Sequence, residues 1–154
     1  MKILSTLLLI CTVIFTASSQ QAASSLNSEF TKADELQNWK WLHTTEGWPD
    51  KAKRKEVKDG SLIIEPGTSG WFADKNAPFL YKEVTGDFDV RTRLKASGLS
   101  SDISQTIWSL GGLMVRVPKR TNKEQWKAKE ENWMFMTTGV AEESGKQVIE
   151  TKYT

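Results

Sequence analysis

The chain has 154 residues, with 21 Lys and Arg against 19 Asp and Glu, for a formal charge of +2 at neutral pH. So near a balance provides no basic surface of the kind nucleic-acid binders use, and nucleic acid is excluded as an expected partner. A single cysteine, Cys11, and a single histidine, His43, supply too few ligands for a structural zinc site.

At the N terminus, Met1-Lys2 precedes an apolar run from Ile3 to Phe15, followed by the small residues Ala17, Ser18 and Ser19. One positive charge, a short apolar stretch and small residues make the pattern of a cleavable export signal over residues 1–19, cut after Ser19. The apolar run is shorter than the roughly 20 residues needed to cross a bilayer. Ile10, not a small residue, precedes Cys11, which argues against lipid attachment there. The expected location is therefore secreted or periplasmic, with no membrane association after cleavage. Lys2 is the only charged residue lost with the signal, so the charge falls from +2 to +1. Cys11 is lost too, which excludes disulfide and thiol chemistry from the remainder. About 135 residues remain, enough for one domain with its own core.

Residues 20–28 are small and polar and read as a flexible leader, so the domain is assigned to residues 29–154. Trp39 to His43 is an early strand candidate, with Phe30, Trp39 and Trp41 packing at the domain start. The basic run Lys51 to Lys55 reads as a solvated turn. Lys58-Asp59-Gly60 is a turn signal leading into a strand over Ser61 to Glu65, and Pro66 to Gly70 is a loop. Pro78 to Glu83 is the next strand, joined through Val84 to Asp87 to a strand over Asp87 to Lys95. In that strand Phe88, Val90, Thr92 and Leu94 alternate with Asp87, Asp89, Arg91, Arg93 and Lys95, which predicts one buried and one wet face. Gly111 to Val117 places Leu113, Val115 and Val117 on one face and Met114 and Arg116 on the other. Pro118 to Glu131 is highly charged and fits either a short helix or a solvated loop. Asn132 to Val140 is apolar on both faces, which predicts a central strand covered on each side. A last strand begins at Lys146 and runs to Tyr153. Many short strands with little helix predict an all-β sandwich or barrel.

Three separated motifs carry a family resemblance. They are Gly70-Trp71-Phe72-Ala73-Asp74 followed by Pro78 to Val90, then Gly112-Leu113-Met114-Val115-Arg116, then Glu131-Asn132-Trp133. In this order the chain, over residues 29 to 154, resembles a bacterial family of unknown function in the concanavalin A-like lectin/glucanase superfamily. Some members of that family carry the label "regulation of enolase protein". The resemblance implies a jelly-roll β-sandwich of two curved antiparallel sheets, and polysaccharide or glycan as the partner. Family members continue further past the last motif, and a strand pattern is still running at Thr154. The domain is accordingly expected to be incomplete at its C terminus.

Catalysis finds little support. Glycoside hydrolysis needs two carboxylates about 5–9.5 Å apart across the scissile bond. Asp87 and Asp89 share a face, but Arg91, Arg93 and Lys95 share it too, as on a mixed-charge outer surface. Glu130-Glu131 and Glu142-Glu143 are adjacent, so on a strand their members point opposite ways. His43 has no Gly-x-Ser-x-Gly partner motif and reads as structural. No catalytic residue is assigned and no cofactor is expected. Asp74, Asn76, Asp87 and Asp89 are candidate oxygen ligands for a structural calcium ion, without EF-hand spacing.

Sugar recognition fits the residues better. A pyranose presents an apolar C–H face to a flat aromatic ring and hydroxyls to planar polar groups. Trp71, Tyr81, Trp108 and Trp133 are candidate platforms, and Asp74, Arg116 and Glu131 are candidate polar partners. A lone buried Arg would be costly, so Arg116 is expected to face solvent or to have a partner in a cleft. Glu131 and Trp133 share a face of the neighbouring strand, which would place all three on one sheet surface. The expected ligand site is therefore Trp71, Asp74, Tyr81, Arg116, Glu131 and Trp133, with core packing competing for every aromatic. Two other roles stand beside it. One is a glycoside hydrolase-like enzyme with acids partly beyond Thr154, and the other is a non-catalytic surface interaction domain.

Overall fold

A computed structural model describes residues 26–71 and 77–154. The export signal over 1–19, the leader up to residue 25, and the candidates Asp74 and Asn76 lie outside the described residues.

The chain is all-β, built from short antiparallel strands with little helix. A 3₁₀ turn over Ala33–Asn38 opens it. Glu35 organises this turn. Its carboxylate accepts hydrogen bonds from the backbone N–H groups of Glu29, Phe30, Thr31 and Lys32. Phe30 packs on Trp39 with ring centroids 5.8 Å apart. Strand β1, Lys40–Trp41, is brief, and the chain then turns into helix α1, Leu42–Glu46. Of the expected Trp39–His43 strand only Lys40 and Trp41 therefore form. Gly47, in the left-handed conformation, ends the helix.

Strands β2 (Ala52–Lys58) and β3 (Ser61–Pro66) make a hairpin in which Lys58 faces Ser61. Asp59 and Gly60 both have positive φ, 51° and 70°. That is the two-residue turn geometry that Asp-Gly favours, because its twist matches that of the flanking strands. The basic run expected as a solvated turn is mostly strand. Arg54 pairs across the hairpin with Glu65 and Lys55 with Ile64, the tight turn fixes that register, and the long basic side chains reach water or partners. Lys55, for example, lies 4.7 Å from the centre of the Trp41 ring.

Strand β4 covers only Leu80–Tyr81 and pairs with β1. The strand expected over Asp87–Lys95 is absent, and with it the hairpin through Val84 to Asp87. Phe88, Val90 and Leu94 are exposed. Alternation marks a segment fit to cover a core, but a strand also needs a neighbour to take its N–H and C=O groups. Its expected partner, Pro78–Glu83, is instead committed to β1 at Leu80 and Tyr81.

The largest element is a three-stranded meander of β5 (Ser109–Val117), β6 (Asn132–Val140) and β7 (Gln147–Tyr153), with β6 in the centre. The Pro118–Glu131 connection is a loop with one 3₁₀ turn at Lys123–Gln125, where the Asn122 side chain accepts from the Glu124 N–H. Gly112 permits close strand approach: a Cβ there would lie 2.0 Å from the Met136 carbonyl oxygen. One face of the sheet carries Met114, Arg116, Trp133 and Phe135 beneath the α1 segment. The other carries Val117, Met136 and Ile149, which are 65%, 61% and 78% exposed. The expectation of cover on both faces of β6 is thus corrected. Strict alternation divides the strand: the Trp133 side is packed, whereas Met134 and Met136 on the other side are exposed and Val140 is buried at its end. Leu42, Trp133, Val140 and Ala141 are the buried apolar residues among those described. No described helix is long and apolar enough to cross a membrane.

Candidate functional site

The covered face of the meander holds a buried charge cluster. Arg116 stands opposite Trp133 in the β5–β6 register. Its Nε donates to Glu131 Oε2 at 2.7 Å. Its two terminal nitrogens donate to Glu46, Nη1 to Oε1 at 2.6 Å and Nη2 to Oε2 at 3.2 Å. Nη2 also donates to the Arg120 carbonyl at 3.3 Å. The side chains of Arg116, Glu46 and Glu131 are only 6%, 5% and 4% exposed.

Each partner comes from a different local cause. Strand alternation turns Arg116 inward, away from Val115 and Val117. Glu131 sits just before β6, where it meets Arg116 from the neighbouring strand. Glu46 is the last residue of α1, and its Oε2 also accepts from Trp48 Nε1 at 3.2 Å. Burial alone would depress the Arg116 pKa. The hydrogen bonds it donates to Glu46 and Glu131, with their negative charges, more than offset it, and the guanidinium is held above its ordinary value. A buried Arg forked between two carboxylates is a rigid pin that fastens the helix segment to the sheet.

Next to the pin, at the start of β6 and the end of β7, lies a hollow of about 330 Å³. Its aromatic lining is Trp71, Trp126, Trp133 and Tyr153. Glu131, Lys129, Lys152 and Thr154 supply polar groups. The floor is stiff. Trp133 stacks on Phe135 at 4.8 Å with the rings 5° from parallel. Trp126 meets Trp48 edge-on at 5.4 Å, and Trp71 meets Phe79 edge-on at 5.5 Å. The end of the chain is tied in by the Thr154 N–H, which donates to the Trp133 carbonyl at 3.1 Å.

Of the six residues expected at a ligand site, the structure brings Trp71, Glu131 and Trp133 to this hollow. Arg116 lies behind it, with its nitrogens spent on protein acceptors, so it positions Glu131 instead of reaching outward. Tyr81 is elsewhere. It stacks on Phe79 at 5.6 Å, and its hydroxyl donates to Thr45 at 3.1 Å. Asp74 lies outside the described residues. Trp108 is also apart, half-exposed, with Lys152 Nζ 5.0 Å from its ring centre.

Sequence reasoning missed Trp126, Tyr153, Lys129 and Glu46. Trp126 stood in the charged Pro118–Glu131 segment, where the charges masked it. Glu46 bonds Arg116 across 70 positions of chain, and no local pattern signals such a contact. Among the described residues, no group of three His, Cys, Asp or Glu side chains is placed to hold a metal ion. Asp89 is instead paired with Arg91 at 2.8 Å, and His43 faces Asp50 at 3.4 Å.

Comparison with known proteins finds no match: no family model fits the chain, and no curated protein or solved structure is significantly similar to it. The fold and site define an all-β protein with a buried Glu–Arg–Glu pin beside an aromatic hollow.

Proposed function

We propose that this chain is an exported carbohydrate-binding domain of the concanavalin A-like β-sandwich type, which takes a glycan in the aromatic hollow. The observation that carries this reading is the hollow itself. Trp71 and Trp126 line it with apolar rings, Trp133 stacked on Phe135 forms its floor, and Glu131 is fixed beside them by Arg116. Ring faces take the C–H side of a sugar, and a carboxylate held still by a buried guanidinium accepts its hydroxyls. The volume lies at the low end of the range for ligand pockets, about 300–1,000 Å³, suited to a short stretch of glycan. The sandwich assignment draws support from the antiparallel meander. One of its faces is packed and the other is an open apolar surface of the sort that a second sheet covers. The reading invokes no metal and no cofactor, and it leaves the Glu–Arg–Glu pin a structural part.

Binding of the full chain to a broad polysaccharide panel, by pull-down and calorimetry, tests it. Binding is expected, and Trp126→Ala is expected to abolish it while leaving the unfolding midpoint nearly unchanged. A folded chain that binds no glycan on the panel overturns the reading.

A further inference from the structure

The charged groups around the hollow are unequally committed. Glu131 is matched by Arg116 at 2.7 Å. Lys152 is matched by Glu150 at 3.1 Å, and its Nζ also lies over Trp108. Glu46, the extra negative charge of the pin, bonds Arg116 and Trp48 and does not line the hollow. Lys129 is different. It lines the hollow, it is exposed, and it makes no ion pair or side-chain hydrogen bond among the described residues. Its backbone is also unusual, with φ at 62°. A lysine seldom occupies the left-handed region, and such conformations persist only where the surroundings enforce them. Here the Lys127 carbonyl accepts from the Glu130 N–H at 3.3 Å, and Glu130 is ion-paired to Arg120. The turn that carries Lys129 is thereby closed on both sides. It holds an uncommitted cation at the rim of an aromatic hollow.

We propose that the hollow selects a glycan bearing an anionic group, a uronate carboxylate or a sulfate ester, which Lys129 engages while Glu131 accepts a hydroxyl of the same or the adjoining sugar. This rests on the glycan-binding reading of the same hollow. The two acceptor types share one chemistry, a fixed negative oxygen cluster on a sugar ring. A lysine ammonium meets either as a point charge.

The test measures affinity of the full chain at low salt for oligogalacturonate, for dextran sulfate and for neutral dextran and galactan. An anionic polymer is expected to bind more tightly than its neutral counterpart, with the preference shrinking as salt is added. Stronger binding of oligogalacturonate assigns the carboxylate, and stronger binding of dextran sulfate assigns the sulfate. Lys129→Asn removes the charge with a side chain that tolerates the left-handed backbone. It is expected to weaken anionic binding by roughly two- to fivefold more than neutral binding, so that the preference for the anionic polymer falls. Lys129→Arg should retain the preference. Equal affinity for charged and neutral polymers, or a Lys129→Asn protein with an unaltered preference, overturns this inference and leaves the glycan-binding reading standing. Failure to bind any of the polymers removes both.

Discussion

Arg116 and Glu131 face each other across 2.7 Å between the start of β6 and the neighbouring β5, and the other edge of the same guanidinium faces Glu46. Removing the Arg leaves two nearly fully buried carboxylates side by side with no counter-charge. Arg116→Met is therefore expected to destabilise the chain by about 3–5 kcal/mol, as read from urea unfolding. By contrast, the Lys40–Glu83 pair is exposed on both sides, 50% and 72%. Lys40→Ala should cost no more than about 1 kcal/mol. Similar costs for the two variants would show that the pin is not structural.

Glu35 makes the acid stability of the opening turn pH-dependent. Desolvation acts to raise its pKa, but hydrogen bonds from the Lys32, Phe30 and Thr31 N–H groups and from the Thr31 hydroxyl outweigh it. The result is a shift from 4.5 to about 2. A folded pKa below the unfolded one means that this contribution is fully present above pH 4.5 and is lost as pH falls through about 2. Titration of the Glu35 carboxyl by NMR should find its midpoint near the low end of that window. Glu35→Gln should abolish the corresponding part of the stability–pH profile, leaving neutral-pH folding of the meander intact.

Gly112 should tolerate no side chain. A Cβ placed there meets the Met136 carbonyl oxygen at 2.0 Å and the Thr137 Cα at 2.7 Å, both backbone atoms that cannot swing away. Gly112→Ala is expected to force β5 and β6 apart. Hydrogen exchange should then show lost protection along both strands, with the β2–β3 hairpin unaffected. Gly111→Ala, next along the strand and with nothing within 4 Å of its Cβ, is the control and should be tolerated.

Trp133 and Trp126 line one hollow but should answer differently to truncation. Trp133 is only 8% exposed and stacked on Phe135, so Trp133→Ala should cost about 3–5 kcal/mol. Trp126 lies in a loop, part-buried, so Trp126→Ala should cost less stability and more binding. Urea unfolding and calorimetry on the same two proteins check both halves of the expectation.

Much of the meander was legible because its information is local. Alternation in Gly111 to Val117 set which side chains share a face. Lys58-Asp59-Gly60 marked the hairpin turn because only a few residue types accept positive φ in succession. The grouping of Arg116, Glu131 and Trp133 followed from the same alternation once β5 and β6 were neighbours. The Asp87–Lys95 segment shows the limit. Its alternation is as regular as any in the chain, and it is still not a strand, because pairing is a property of two segments. The apolar run Asn132 to Val140 likewise declared a central strand, but the cover it led one to expect on both faces is missing over Met134 and Met136.

The sequence alone determined the all-β character, the tight turn at Asp59-Gly60 and the two faces of β5, since these depend on side-chain period and backbone sterics within a few residues. Only the tertiary structure decided that Arg116 would be sealed between Glu46 and Glu131, and that Trp126 and Lys129 would close on the hollow. Those outcomes depend on burial and on electrostatic partners far apart in the chain. A guanidinium withdrawn from water must find carboxylates wherever the fold happens to bring them.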